Sequence, residues 1–200
     1  MQSARPTLRR WIHIIKARIA RESMAGFFKE PTLRNEQVLG LKYTGREDFE
    51  ASLEFFRSLP MEERLYLRRN VTKREIVEER IGEIERGLAT GIVAVAGERI
   101  VGDALLFVMP HGCSRRTGEV RLLVHPDYRG LGLGTILARE LFILAVRKDL
   151  KKLESCVMET QVGAKRMLER LGFVQEGILE GFVNDLKGRE HNLILMGMKL

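Results

Sequence analysis

Between Val124 and Leu137 the chain reads Val-His-Pro-Asp-Tyr-Arg-Gly-Leu-Gly-Leu-Gly-Thr-Ile-Leu. Gly130, Gly132 and Gly134 alternate with Leu131 and Leu133, with Arg129 directly ahead and Thr135 directly behind. Glycines in such a run let the backbone approach a ligand closely and turn several N–H groups toward one point. A helix with Leu137, Leu141, Leu144 and Ala145 on one face follows at once, so its N-terminal donors and dipole add to the same pole. The chemistry on offer is a cradle for phosphate or pyrophosphate, with Arg129 adding charge at its mouth. A Walker loop would need Gly-Lys-Ser/Thr, and this loop has no lysine. The dinucleotide pattern G-x-G-x-x-G fails as well, since its third position falls on Thr135 or Leu137. What survives is Arg-x-x-Gly-x-Gly, on Arg129, Gly132 and Gly134. A tight turn alone would need only one or two of these glycines.

The elements that must position this loop alternate between strand and helix. Val38–Tyr43 reads as a strand, and Glu47–Leu59 and Met61–Arg69 as helices broken at Pro60. Thr72 with Glu75 three residues on has the spacing of a capping box, predicting a helix to about Leu88. Gly91–Ala96 and Arg99–Met109 are β-rich runs about a Gly97-Glu98 turn. Gly118–Val124 leads into the loop, and a helix follows over Gly134–Arg147. The remainder reads as a strand Leu153–Met158, a helix Val162–Leu171, and a hairpin of Phe173–Asn184 and His191–Lys199 about Lys187-Gly188. This is a mixed α/β pattern in one unit of 200 residues, with 44% hydrophobic and 30% charged residues. That composition excludes a disordered or low-complexity chain.

On these residues the chain resembles the GNAT superfamily of acyl-CoA-dependent N-acyltransferases. Val124-His125-Pro126-Asp127-Tyr128-Arg129-Gly130 matches the family's strand-end phrase, and Leu168-Glu169-Arg170-Leu171-Gly172-Phe173 its helix-to-strand phrase. The likeness spans roughly residues 38–199. Glu119, ten residues before Arg129, and the early phrase Glu54-Phe55-Phe56-Arg57-Ser58-Leu59 look like the bacterial protein-lysine acetyltransferase branch. The resemblance implies a twisted, mostly antiparallel mixed sheet flanked by helices, with acetyl-CoA as co-substrate entering where two strands splay. It implies that Arg129, Gly130, Leu131, Gly132, Leu133, Gly134 and Thr135 hold the pyrophosphate, and that the backbone of Leu122, Leu123 and Val124 positions the thioester. It places Gln161 near the cofactor, where relatives often carry an asparagine. Acetyl transfer to an amine requires a neutral nucleophile, whereas a free lysine has a pKa of about 10.4. Glu119 is the expected base, against the plainer reading of an ion pair with Arg121 on the same strand face.

Two departures from the family pattern stand out. Leu168 occupies the place where many relatives have a tyrosine that protonates the leaving thiolate, and Cys156 the place where some carry a glutamate. These departures favour the alternative of a non-catalytic acyl-CoA-binding regulator. His191 and Asp185 flank the final hairpin turn, and His125 is expected to support the loop. No Cys/His spacing suits a metal, so none is expected.

The net charge of +7 is concentrated at the front. Residues 1–36 hold eight Lys/Arg against three Glu, and Leu8, Trp11, Ile12, Ile15 and Ile19 predict an amphipathic helix over about Thr7–Met24. The expected division is a basic extension over 1–36 and an acetyltransferase domain over 37–200. The extension suits packing on the domain or on a second copy in a homodimer. Contact with a membrane surface or nucleic acid is the weaker alternative. Cys113 and Cys156 are too few for a disulfide framework, and no apolar run reaches the roughly 18 residues of a membrane span. A cytoplasmic setting is expected. The acceptor is expected to be a protein lysine or a small amine.

Overall fold

The middle strands are apolar at both parities, so both faces of their sheet must be covered. In the strand Ala89–Ala96, Ile92 and Ala94 enter one core while Val93 and Val95 enter another. The computed structural model describes residues 27–64, 67, 69–109 and 111–200. The helix expected over residues 7–24 lies outside them.

Among the described residues, seven strands form one sheet: β1 (Gly40–Tyr43), β2 (Ala89–Ala96), β3 (Arg99–Val108), β4 (Thr117–Val124), β5 (Lys152–Met158), β6 (Val174–Asn184) and β7 (Glu190–Lys199). Their order is β1-β2-β3-β4-β5-β7-β6. Every neighbouring pair is antiparallel except β4–β5. That parallel pair is short, matching only Thr117–Glu119 with Lys152–Glu154. The helices are α1 (Phe49–Ser58), α2 (Met61–Arg64), α3 (Arg74–Glu85), α4 (Leu133–Arg147) and α5 (Val162–Leu171).

Helix α4 covers one face. Leu133, Leu137 and Leu141 repeat every four residues and are fully buried against Ala104, Leu106 and Val120. The approach is close enough that a Cβ on Gly102 of β3 would sit 2.9 Å from Leu137 Cδ1. Helices α1 and α3 cover β2 and β3 on the other face through Leu53, Phe56, Val77 and Ile81. Phe55 and Phe56 are both buried there, so the Glu54–Leu59 phrase is first of all a packing phrase.

Local chemistry corrects several expected boundaries. Thr72 does not cap α3: Asn70 Oδ1 takes both its hydroxyl (2.7 Å) and its N–H (3.2 Å), and Lys73 becomes the N-cap. The helix ends at Glu85, short of Leu88, because Gly87 turns left-handed (φ +74°). Leu88 N–H then reaches Glu83 C=O and Gly87 N–H reaches Ile84 C=O, a Schellman closure. The same closure explains Leu-Gly-Phe. Gly172 (φ +103°) lets Phe173 N–H reach Leu168 C=O, and the Leu168 and Phe173 side chains are buried together. Helix α2 is described over Met61–Arg64, and Leu67 and Arg69 are bends outside any helix. Before β1, residues 31–39 form a small hairpin with Leu33 and Leu39 buried.

One ion pair lies deep between α3 and β3. Arg80 grips Asp103 with bonds of 2.8 and 2.7 Å, and its guanidinium lies over the Phe56 ring. Burial pushes the Asp103 carboxyl above its ordinary range, and the Arg80 charge pulls against that shift. Arg80→Ala would strand the carboxylate, so a loss of about 3–5 kcal/mol is expected in urea unfolding. Replacing both partners with apolar residues of similar volume should recover most of it.

Candidate active site

Strand β4 pairs with β3 to its end, where His125 N–H closes the last rung on Val101 C=O at 2.9 Å. Peptide groups along a strand alternate in direction, so odd-numbered residues of β4 bond toward β3 and even-numbered ones toward β5. Beyond Glu119, β5 has turned away. The N–H groups of Leu122 and Val124 therefore face a fork between two strands, while Leu123 N–H is spent on β3. Of the three residues expected to present backbone donors, the geometry supplies two.

The fork is also selective in polarity. Ser155 Oγ donates to Val120 C=O at 2.9 Å, bridging β5 to β4 where they part. Arg129 Nε and Nη2 donate to Val124 C=O at 3.0 and 2.9 Å. Two carbonyls that would face the fork are thus occupied, and the edge becomes rich in donors. Ser155 is buried and carried no motif, so sequence patterning gave no reason to single it out.

Below the fork, Pro126–Tyr128 make one 3₁₀ turn, with His125 Nδ1 accepting from Asp127 N–H at 3.4 Å. Gly130 and Gly132 follow at φ +72° and +96°, a region that L side chains rarely enter. Nothing lies within 4 Å of where a Cβ would stand on either. No described residue accepts from the amides of Gly130, Leu131 or Gly132. Helix α4 makes its first bond from Ile136 N–H to Gly132 C=O, which leaves Leu133, Gly134 and Thr135 ahead of the ladder. Six consecutive amides at a helix N-terminus suit a pyrophosphate.

Arg129 does not stand open at this mouth. Besides Val124 C=O, its guanidinium holds the Glu63 carboxylate of α2, with Nη1 to Oε1 at 2.5 Å. The motif arginine is a brace between α2 and the end of β4, and its charge is matched there. Gln161 is likewise engaged, its Oε1 accepting from Met158 N–H at 2.9 Å at the start of α5.

Glu119 sits at the closed end of the fork, on the face opposite α4, with its side chain 18% exposed. Arg121 Nε and Nη2 contact its two carboxylate oxygens at 2.9 and 3.1 Å. The parallel register puts exposed Glu154 beside it on the same face, and Cys156 follows two residues along β5. Leu168 is buried in the core and brings no polar group. His191 lies away from Glu119, between Asp185 Oδ2 (3.3 Å) and Glu159 Oε1 (3.4 Å) at the far hairpin. Backbone N–H groups and Arg189 hold the Asp185 carboxyl well below the usual carboxylate range. Among the described residues no group of three or more His, Cys, Asp or Glu is placed to hold a metal, and no helix is long and apolar enough to cross a membrane.

A sheet parted between its central parallel strands, above a glycine loop that opens a helix, can be compared with known proteins. The profile of the acetyltransferase (GNAT) family matches residues 50–173. The chain belongs to that family. A GNAT-family acetyltransferase from Streptococcus pneumoniae shares the fold at TM-score 0.71 and 20% identity, over 81% of this chain and 99% of that one. Salmonella typhimurium yncA, solved with its cofactor acetyl-CoA, aligns at TM-score 0.69 and 20% identity, over 81% and 94%. The GNAT domain of S. lividans PAT aligns at TM-score 0.70 and 14% identity, over 86% and 96%. This GNAT protein is an acyl-CoA-dependent N-acetyltransferase with acetyl-CoA as co-substrate.

The loop geometry yields a direct test. Gly132→Ala forces an L residue into the left-handed region at a cost of about 1–2 kcal/mol. The open space around it should leave the rest of the fold intact. Titration calorimetry is expected to show weaker acetyl-CoA binding with an unchanged circular dichroism spectrum.

Proposed function

We propose that this acetyltransferase acts on a primary amine, with Glu119 accepting the amine proton. The observation that carries the reading is the position of Glu119: a half-buried carboxylate at the closed end of the fork, on the same strand as the Leu122 and Val124 donors. Acetyl-CoA supplies an activated acetyl carbonyl. Gly130–Thr135 hold its pyrophosphate by backbone amides, so the pantetheine arm runs up the fork along β4. The Leu122 and Val124 N–H groups then face the thioester oxygen and stabilise the charge that develops on it. As the new C–N bond forms and the C–S bond breaks, the amine proton passes to Glu119. The departing thiolate, with an ordinary pKa of about 8.5, takes its proton from water, since Leu168 offers none.

Arg121 fixes the rotamer of Glu119 through two bonds and so aims the carboxylate along the strand face. Glu154 beside it makes that face attractive to a cationic acceptor. A protein lysine is the acceptor favoured by the likeness of Glu119 to the glutamate of the lysine-acetyltransferase branch.

Glu119→Gln is expected to lower kcat about 10²–10⁴-fold at neutral pH while acetyl-CoA affinity holds. The deficit should shrink as the pH approaches the amine's own pKa of about 10.4, where solvent removes the proton unaided. Steady-state rates against a lysine peptide and a polyamine, from pH 6 to 10, would measure this. Full activity of the variant at neutral pH would sink the base assignment.

A further inference from the structure

The glycine loop needs more than permissive residues. Its peptide groups must be held in one orientation if their N–H groups are to converge. Gly130 and Gly132 have the widest conformational freedom in the chain, so something outside the loop has to supply the restraint. The motif arginine does not, because Arg129 is turned to Val124 and Glu63.

The restraint comes from the hairpin at residues 31–39, ahead of the stretch matched by the family profile. Thr32 bridges to Val38, Leu33 N–H bonds Gln37 C=O at 2.8 Å, and Glu36 takes a left-handed turn at φ +67°. Leu33 and Leu39 anchor the hairpin in the α4 core, 4% and 1% exposed. Behind them Lys29 pairs with Glu140, a buried carboxylate of α4. The tip therefore stands rigidly against the loop, and Arg34 is the residue it presents. Arg34 N–H donates to Leu131 C=O at 3.2 Å, and Arg34 Nη1 donates to Gly130 C=O at 3.2 Å. No carboxylate among the described residues pairs with Arg34.

These are two successive peptide groups. In a planar trans peptide the C=O and the following N–H point in opposite directions. Holding Gly130 C=O toward Arg34 therefore points Leu131 N–H away from it, and holding Leu131 C=O does the same for Gly132 N–H. Both N–H groups lack an acceptor among the described residues. The guanidinium charge on the carbonyl side also polarises the peptide, making its N–H a better donor.

We propose that Arg34 is a positioning residue for acetyl-CoA: it clamps the carbonyls of Gly130 and Leu131, so that Leu131 and Gly132 N–H face the pyrophosphate. This rests on the reading of the loop as the pyrophosphate cradle. It predicts a defect specific to ligands that carry pyrophosphate. Arg34→Ala should raise the KM for acetyl-CoA about tenfold, the loss expected from one charge-assisted hydrogen bond, with kcat at saturation unchanged. Arg34→Lys, which keeps a charged donor, should recover part of it. Acetyl-pantetheine has no pyrophosphate, so its KM should be the same for wild type and both variants. An unchanged acetyl-CoA KM in Arg34→Ala would overturn the clamp, as would an equal loss on acetyl-pantetheine, which would mark a general structural role. If the wild-type protein itself shows no preference for acetyl-CoA over acetyl-pantetheine, the cradle reading falls first and the clamp with it.

Discussion

The structure turns on one interrupted pairing. Strands β4 and β5 run parallel for three residue pairs and then separate, opening an unpaired edge in the middle of a seven-stranded sheet. Unpaired backbone groups inside a protein are costly, so such an edge persists only where other groups satisfy it or a ligand does. Here the settlement is uneven. Ser155 and Arg129 consume the carbonyls of Val120 and Val124, while the N–H groups of Leu122 and Val124 face the fork without a strand partner. The edge of the fork is richer in N–H donors than in open carbonyls.

Everything that holds the fork open is packed from both sides. Helix α4 lies against β2, β3 and β4 on one face, and α1 and α3 cover β2 and β3 on the other. Because α4 starts directly beneath β4, the same helix that fills the core also turns its N-terminus toward the mouth of the fork. Core packing and the unbonded amides at the helix start thus share a single element. The N-terminal hairpin joins this arrangement by burying Leu33 and Leu39 beside α4 and resting Arg34 on the loop. The family profile begins at residue 50, yet the packed unit begins by Phe28, which stacks on Tyr43 at 4.8 Å.

The departures at Leu168 and Cys156 gain a physical setting. Leu168 is the residue that seals the Schellman closure with Phe173, so its place is taken by packing and a polar group there would have to leave the core. Cys156 stands half-buried on the open face of β5, along the same side as Glu119 and Glu154.

Much was legible in the sequence because much was local. Period-two and period-four apolar patterns placed all seven strands and the helices α1, α3, α4 and α5, since each element buries its own face by its own spacing. The glycine turn formed by Gly130 and Gly132 ahead of an apolar helix was legible for the same reason: turn chemistry and helix termini are properties of adjacent residues. Ends were misjudged where a neighbour competed, as when Asn70 captured Thr72, or where a glycine closed α3 early. Only the tertiary structure decided which donors reach the fork, because strand pairing, not residue type, sets the direction of each peptide group. It also decided that Arg129 meets Glu63, 66 residues away, and that Arg34 meets Gly130, 96 residues away. A charged side chain's partner depends on what the fold brings beside it, and no local pattern encodes that.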